Sequence, residues 1–82
     1  MELRQLEYFQ QVCRLGSVSR AAAQLHVAQP SVSIALQKLE EELGVPLFDR
    51  KQRRLRLTQA GERMLQHAEA MLRCRNNAQE EM

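Results

Sequence analysis

Residues 27–44 read VAQPSVSIALQKLEEELG, and the reading of this stretch decides the fold. Val32, Leu36, Leu39 and Leu43 recur at helical spacing, which marks one face of an amphipathic helix for burial. Pro30, Ser33, Ile34, Gln37 and Glu41 fall on the opposite side of the same helical wheel. The acidic residues, Glu40, Glu41 and Glu42, all sit in the last turns. A helix whose outer face begins without carboxylates is able to lay that half against a polyanion. Pro30 suits the first turn, where its missing N–H costs nothing, and this puts the N-cap at Ala28 or Gln29. Gly44 ends the helix, and Pro46 prevents its continuation.

Upstream, residues 2–15, ELRQLEYFQQVCRL, place Leu3, Leu6, Phe9, Val12 and Cys13 on one stripe and predict a first helix stopped by Gly16. Ser17 and Ser19 are two candidate N-caps for a short second helix, SRAAAQLHV. Its three consecutive alanines favour helix and allow close approach of a neighbour, and Leu25 is its anchor. About three or four residues then separate the second helix from the third, the connection of a helix-turn-helix.

Downstream, LFDRKQRRLRLT (47–58) alternates Leu55 and Leu57 with Arg54 and Arg56 after a polar stretch. Period two around a basic tip predicts two short strands, a β-wing. Thr58 is placed to cap a fourth helix from about Gln59, with Glu62 favourable in its first turn. Leu65, Ala68 and Leu72 trace an apolar stripe flanked by Met64 and Met71, which thins towards the end. Roughly twenty helical residues span about 30 Å, more than this small core covers. The far half therefore calls for another surface, a second copy or a further domain.

Composition bounds the function. Eighty-two residues make one small domain, and a net charge of +2 decides little. Distribution decides more: RKQRRLR (50–56) holds five of the twelve basic side chains and no acid. With no tryptophan, one tyrosine and two phenylalanines, stacking of bases on exposed rings is not the expected binding mode. Cys13 and Cys74 make neither a disulfide framework nor a metal site and read as small packing residues. No run is long and apolar enough to span a membrane and no signal-peptide pattern opens the chain, so a cytoplasmic protein is expected. His26 and His67 stand apart from any carboxylate cluster, and Asp49 is the only aspartate. No nucleophile–base pair, phosphate-cradling glycine loop or paired-carboxylate site is evident. An enzyme, a metal and a cofactor are all unexpected.

A helix-turn-helix with a basic wing suits double-stranded DNA, whose major groove admits an α-helix and presents a distinct pattern for each base pair. Gln29 offers a donor and an acceptor to an adenine edge, Ser31 and Ser33 reach bases or phosphates, and the Pro30 ring fits a thymine methyl. Ile34, apolar in mid-face, is either an incidental exposed residue or a second contact to a thymine methyl. Arg50, Arg53, Arg54 and Lys38, with Lys51, would meet the backbone or the minor groove. The bland alternatives are a solvated helix face and a solubilising loop. From another class, a winged-helix protein–protein interaction module would use the fourth helix for docking.

Taken together, LRQLEYF (3–9), SVSRAAAQL (17–25), QPSVSIALQKLEEELGVPLFDR (29–50) and RRLRLTQAGE (53–62) resemble the N-terminal domain of LysR-type transcriptional regulators of bacteria. The resemblance implies a mainly α, winged helix-turn-helix over residues 1–58 and a linker helix over 59–82 that pairs antiparallel in a homodimer. It places base reading on Gln29, Pro30, Ser31, Ser33 and Ile34 and a wing contact on Arg53. Leu65, Ala68 and Leu72 are then the expected dimer seam. Two positions depart from the family pattern: members often carry arginine where this chain has Ile34, and serine or threonine where it has Ala28. The resemblance further implies a downstream periplasmic-binding-protein-like domain sensing a small-molecule effector, so the chain is expected to be a piece of a longer regulator, dimeric or of higher order.

Overall fold

The computed structural model describes residues 1–51 and 55–82. Four helices and a two-stranded wing follow in the order α1 (Leu3–Leu15), α2 (Val18–Leu25), α3 (Gln29–Leu43), β1 (Phe48–Asp49), β2 (Arg56–Leu57) and α4 (Gln59–Glu81). Gly16 ends α1 in the left-handed region at φ 68°, its N–H donating to the Val12 carbonyl. Of the two candidate caps, Ser17 starts α2: its hydroxyl accepts from the Arg20 N–H at 3.2 Å, and the Ser19 hydroxyl lies 3.1 Å from it.

Three residues, 26–28, connect α2 to α3. The turn is tight because the Val27 N–H reaches the Ala22 carbonyl and the His26 N–H reaches that of Ala23, a Schellman closure of α2. His26 occupies the left-handed position of that closure at φ 59°, which a residue with a Cβ adopts at some cost. Ala28 is the N-cap of α3, with no side-chain bond to the first turn, and Gly44 closes the helix at φ 74°.

The core is made by three stripes meeting behind α3. Leu6, Phe9 and Val12 come from α1, Ala21 and Ala22 from α2, and Val32, Leu36 and Leu39 from α3. Leu47 and Phe48 close one end, with the Phe48 ring edge-on to Phe9 at 5.4 Å between centroids. Met64, Ala68 and Leu72 of α4 complete it. The outer members of the predicted stripes fare differently: Leu3 is exposed, and Cys13 and Leu43 are half-buried. Cys74, expected to pack, is exposed.

The wing is antiparallel, with Phe48 opposite Leu57 and Asp49 opposite Arg56. The residues 52–54, between its strands, include Arg53 and Arg54 and lie outside the described residues. Thr58 joins wing to α4: its hydroxyl donates to the Pro46 carbonyl at 2.7 Å and accepts from the Gly61 N–H at 3.0 Å. Gly61 is buried there because nothing larger fits. A Cβ at that position would collide with the Leu47 carbonyl oxygen and lie 2.9 Å from the Leu57 side chain. Beyond Leu72, α4 remains tied to α1 where Arg75 pairs with Glu7 at 2.6 Å. At about 1.5 Å per residue its 23 residues extend about 35 Å.

Replacing Gly61 with alanine is expected to lower stability by about 1–3 kcal/mol, because backbone rather than a flexible side chain obstructs the new methyl. Thermal unfolding followed by circular dichroism checks this. His26→Gly, which relieves the left-handed strain, should raise the midpoint instead.

Candidate nucleic-acid interface

The sequence of α3 separates two faces completely. Val32, Leu36 and Leu39 are buried, whereas Gln29, Pro30, Ser31, Ser33, Ile34, Gln37 and Lys38 are all exposed. The five residues predicted to read bases therefore share one open surface at the N-terminal half of α3. Ile34 is 51% exposed, a large apolar side chain outside the buried core. Because Ala28 has no capping side chain, the first N–H groups of α3 also keep no side-chain acceptor, unlike those of α2 and α4.

The three glutamates at the end of α3 are not equivalent. Glu42 pairs with the Met1 ammonium at 2.7 Å, and Glu41 is exposed. Glu40 turns towards the wing. Its Oε2 accepts from the Leu47 N–H at 2.7 Å, from the Phe48 N–H at 3.3 Å and from Arg50 Nη1 at 3.3 Å, and its Oε1 accepts from Arg50 Nη2 at 3.0 Å. Burial by itself would raise the Glu40 carboxyl, but the hydrogen bonds from Arg50, Leu47 and Phe48 and the charge of Arg50 outweigh it. The group is held below the ordinary carboxylate value. Arg50, expected among the DNA-backbone contacts, is thus tied to α3 by a two-oxygen fork. Ser33, Gln37, Glu40 and Arg50 line one shallow concavity with Val18 and Leu36 beside the exposed face.

Arg20 and Arg56 line a second concavity with Ser17 and Ser19, between the α1–α2 turn and β2. Sequence reasoning passed over Arg20, since nothing in its local spacing shows that the wing will lie opposite. Arg56 is exposed. At the wing's first turn the Lys51 N–H donates to Asp49 Oδ1 at 3.0 Å, which starts the tip without a glycine.

The residues expected at the dimer seam lie on the packing face of α4. Ala68 is fully buried and Leu72 is 4% exposed within a single protomer, and Leu65 is half-buried against the same core. The stripe is a buried face within this chain, packed with α1 in the core. Exposed on α4 instead are His67, Met71, Cys74 and Ala78. Cys13 is pushed up to about 12 by burial and then by the charge of Glu69, which leaves it a protonated thiol at neutral pH.

Three helices packed behind an exposed α3, with a wing held at its side, define a winged helix-turn-helix protein. Residues 3–62 match the model described as bacterial regulatory helix-turn-helix protein, lysR family, and the chain belongs to that family. Among relatives, it is 47% identical over 78 residues to the Hca operon transcriptional activator HcaR of Escherichia coli, covering 95% of this chain and 26% of HcaR. It is 43% identical over 82 residues to the HTH-type transcriptional regulator YybE of Bacillus subtilis, covering all of this chain and 28% of YybE. The chain thus spans about a quarter of the length of these curated relatives. Among solved structures it resembles the CbnR_DBD–DNA complex, with a TM-score of 0.92, 40% identity, and coverage of 99% of this chain and 93% of that one. It also resembles BenM_DBD in complex with catB site 1 DNA, with a TM-score of 0.93, 39% identity, and coverage of 98% and 90%. Among the described residues no helix is long and apolar enough to cross a membrane.

The depressed Glu40 carboxyl has a consequence for stability against pH. Its contribution is present in full above the unfolded-state value and is lost as the pH falls through the lower folded-state value. Glu40→Gln should therefore cost about 1–3 kcal/mol at neutral pH. The gap between wild type and variant should close as the pH falls below the carboxylate range, as denaturant titrations at several pH values would report.

Proposed function

We propose that the chain is the DNA-binding part of a transcription regulator, a binder rather than a catalyst, which recognises specific sequences in double-stranded DNA. The observation that carries the reading is the outer face of α3. From Gln29 to Lys38 it is exposed, free of acids and separate from the packing face. In this reading α3 enters the major groove, Gln29 addresses an adenine edge, and Pro30 and Ile34 meet thymine methyls. Ser31 and Ser33 contact bases or phosphates, and the uncapped first turn of α3 suits a phosphate. Lys38 and the wing arginines Arg53 and Arg54 reach the backbone or the minor groove. Supporting it, two similar domains, CbnR_DBD and BenM_DBD, are seen in complex with DNA.

Residues 1–58 form the reading unit and α4 the linker, through which two copies bind a partly palindromic operator, with half-sites one or more helical turns apart. Met71, Cys74 and Ala78 supply the seam in place of Ala68 and Leu72, because they are exposed at three- and four-residue spacing on α4. In the longer protein, a downstream domain binds the small-molecule effector and works in the cytoplasm with the oligomer.

Fluorescence anisotropy against mixed duplex DNA at two salt concentrations tests the reading: binding is expected at low salt and should weaken steeply at high salt. Absence of binding at low salt would favour a protein-interaction module. On an operator selected from random duplexes, Gln29→Ala should cost about 1–3 kcal/mol and change little on mixed DNA. Arg53→Ala should weaken both and reduce the salt slope by about one. For the seam, alkylation of Cys74 should slow as protein concentration rises, while Cys13 stays unreactive throughout. A rate for Cys74 that is independent of concentration would remove it from the interface.

A further inference from the structure

Arg50 lies beside the exposed face of α3, in the basic stretch that precedes the wing tip, where a phosphate contact would be the simple assignment. Its surroundings argue otherwise. Both terminal nitrogens of the guanidinium are engaged by Glu40, at 3.3 and 3.0 Å, in the planar fork that arginine forms best with a carboxylate. Glu40 is itself largely covered, with its side chain 14% exposed against 55% for Arg50. The guanidinium carbon stands 5.9 Å from the centroid of Phe48, the ring that packs edge-on to Phe9 in the core. A carboxylate this close cancels most of the attraction Arg50 would exert on a polyanion, since the pair is far shorter than the screening length.

What the fork does is mechanical. The carboxylate that holds Arg50 also accepts the Leu47 and Phe48 N–H groups, which directly follow Pro46. One side chain of α3 therefore gathers the entry to β1 and, through Arg50, its exit. Without it, the links from wing to α3 among the described residues are the turn at 44–46 and apolar contacts, which allow sliding. Resting on the DNA-reading role of α3, we propose that Arg50 is a positioning residue: acting through Glu40, it sets the angle between wing and recognition helix, and it neutralises no phosphate.

Salt-dependent titrations of the selected operator and of mixed duplex separate the two roles. Arg50→Ala is expected to lose roughly tenfold on the operator, the scale of one mismatched base pair, with mixed-duplex affinity held within about twofold. Its slope of log affinity against log salt should match wild type. Arg50→Lys keeps the charge but cannot form the fork, so it should behave like Arg50→Ala. Glu40→Gln should show the same loss, and the Glu40→Gln/Arg50→Ala double variant should be no worse than either single one. A slope lower by about 0.9 in Arg50→Ala, wild-type behaviour of Arg50→Lys, or tighter binding by Glu40→Gln as it frees the arginine would each overturn the proposal. Circular dichroism melts run alongside show that each variant is folded at the assay temperature. If wild type itself fails to bind any duplex, the DNA reading falls and takes this proposal with it, a result distinct from any of the variant patterns.

Discussion

The burial of Val32, Leu36 and Leu39 is the contact on which the rest depends. These three side chains are all that α3 presents to the core before its half-buried last leucine, Leu43, and the helix must be held from behind by that narrow stripe. Leu6, Phe9 and Val12 of α1 meet it from one side, and the small Ala21 and Ala22 let α2 approach closely from another. Every fully buried side chain among the described residues is apolar. On the outer face of α3, Gln29, Ser31, Ser33 and Lys38 are exposed and lie outside that core, which leaves them open to a ligand. That division between a packing edge and an open edge allows one helix to be structure and, in the proposed role, reading head as well.

The wing is placed by a second set of contacts in which backbone groups dominate. Glu40 takes the Leu47 and Phe48 N–H groups, and the Thr58 N–H takes the Leu47 carbonyl at 3.0 Å. The Thr58 hydroxyl takes the Pro46 carbonyl, and Gly61 leaves room for the Leu47 carbonyl against the first turn of α4. The residues 46–48 are thereby held between the end of α3 and the start of α4. A two-stranded ribbon is marginal alone, and here it needs no stability of its own because its root is fixed on both sides.

Much of this was legible in the sequence. The period of Val32, Leu36 and Leu39, the stops at Gly16 and Gly44, the alternation at Leu55 and Leu57 and the cap at Thr58 are local signals, and each appears where its chemistry predicts. Between Ser17 and Ser19 local chemistry was ambiguous, and the approach of the Arg20 N–H decides for Ser17. What was not legible is long-range. Periodicity says that Ala68 and Leu72 are covered but not by what, and α1 of the same chain does the covering. The fork between Glu40 and Arg50 joins residues ten apart across a turn, which no helical spacing announces, so Glu40 read as a helix-end acid and Arg50 as a free cation. Cys74 reads as a small packing residue because it falls in a helical pattern; it lies just beyond Leu72, the last buried residue of α4.

In the proposed role, DNA lands on the outer face of α3. Mapping backbone amide shifts of the isotope-labelled chain as a selected duplex is added tests it most directly. The largest changes are expected on Gln29, Ser31, Ser33, Ile34 and Lys38, with the wing flanking them and Leu6, Phe9 and Val12 of α1 little moved. Changes concentrated on α4 or on α1, with the amides from Gln29 to Lys38 unmoved, would contradict it.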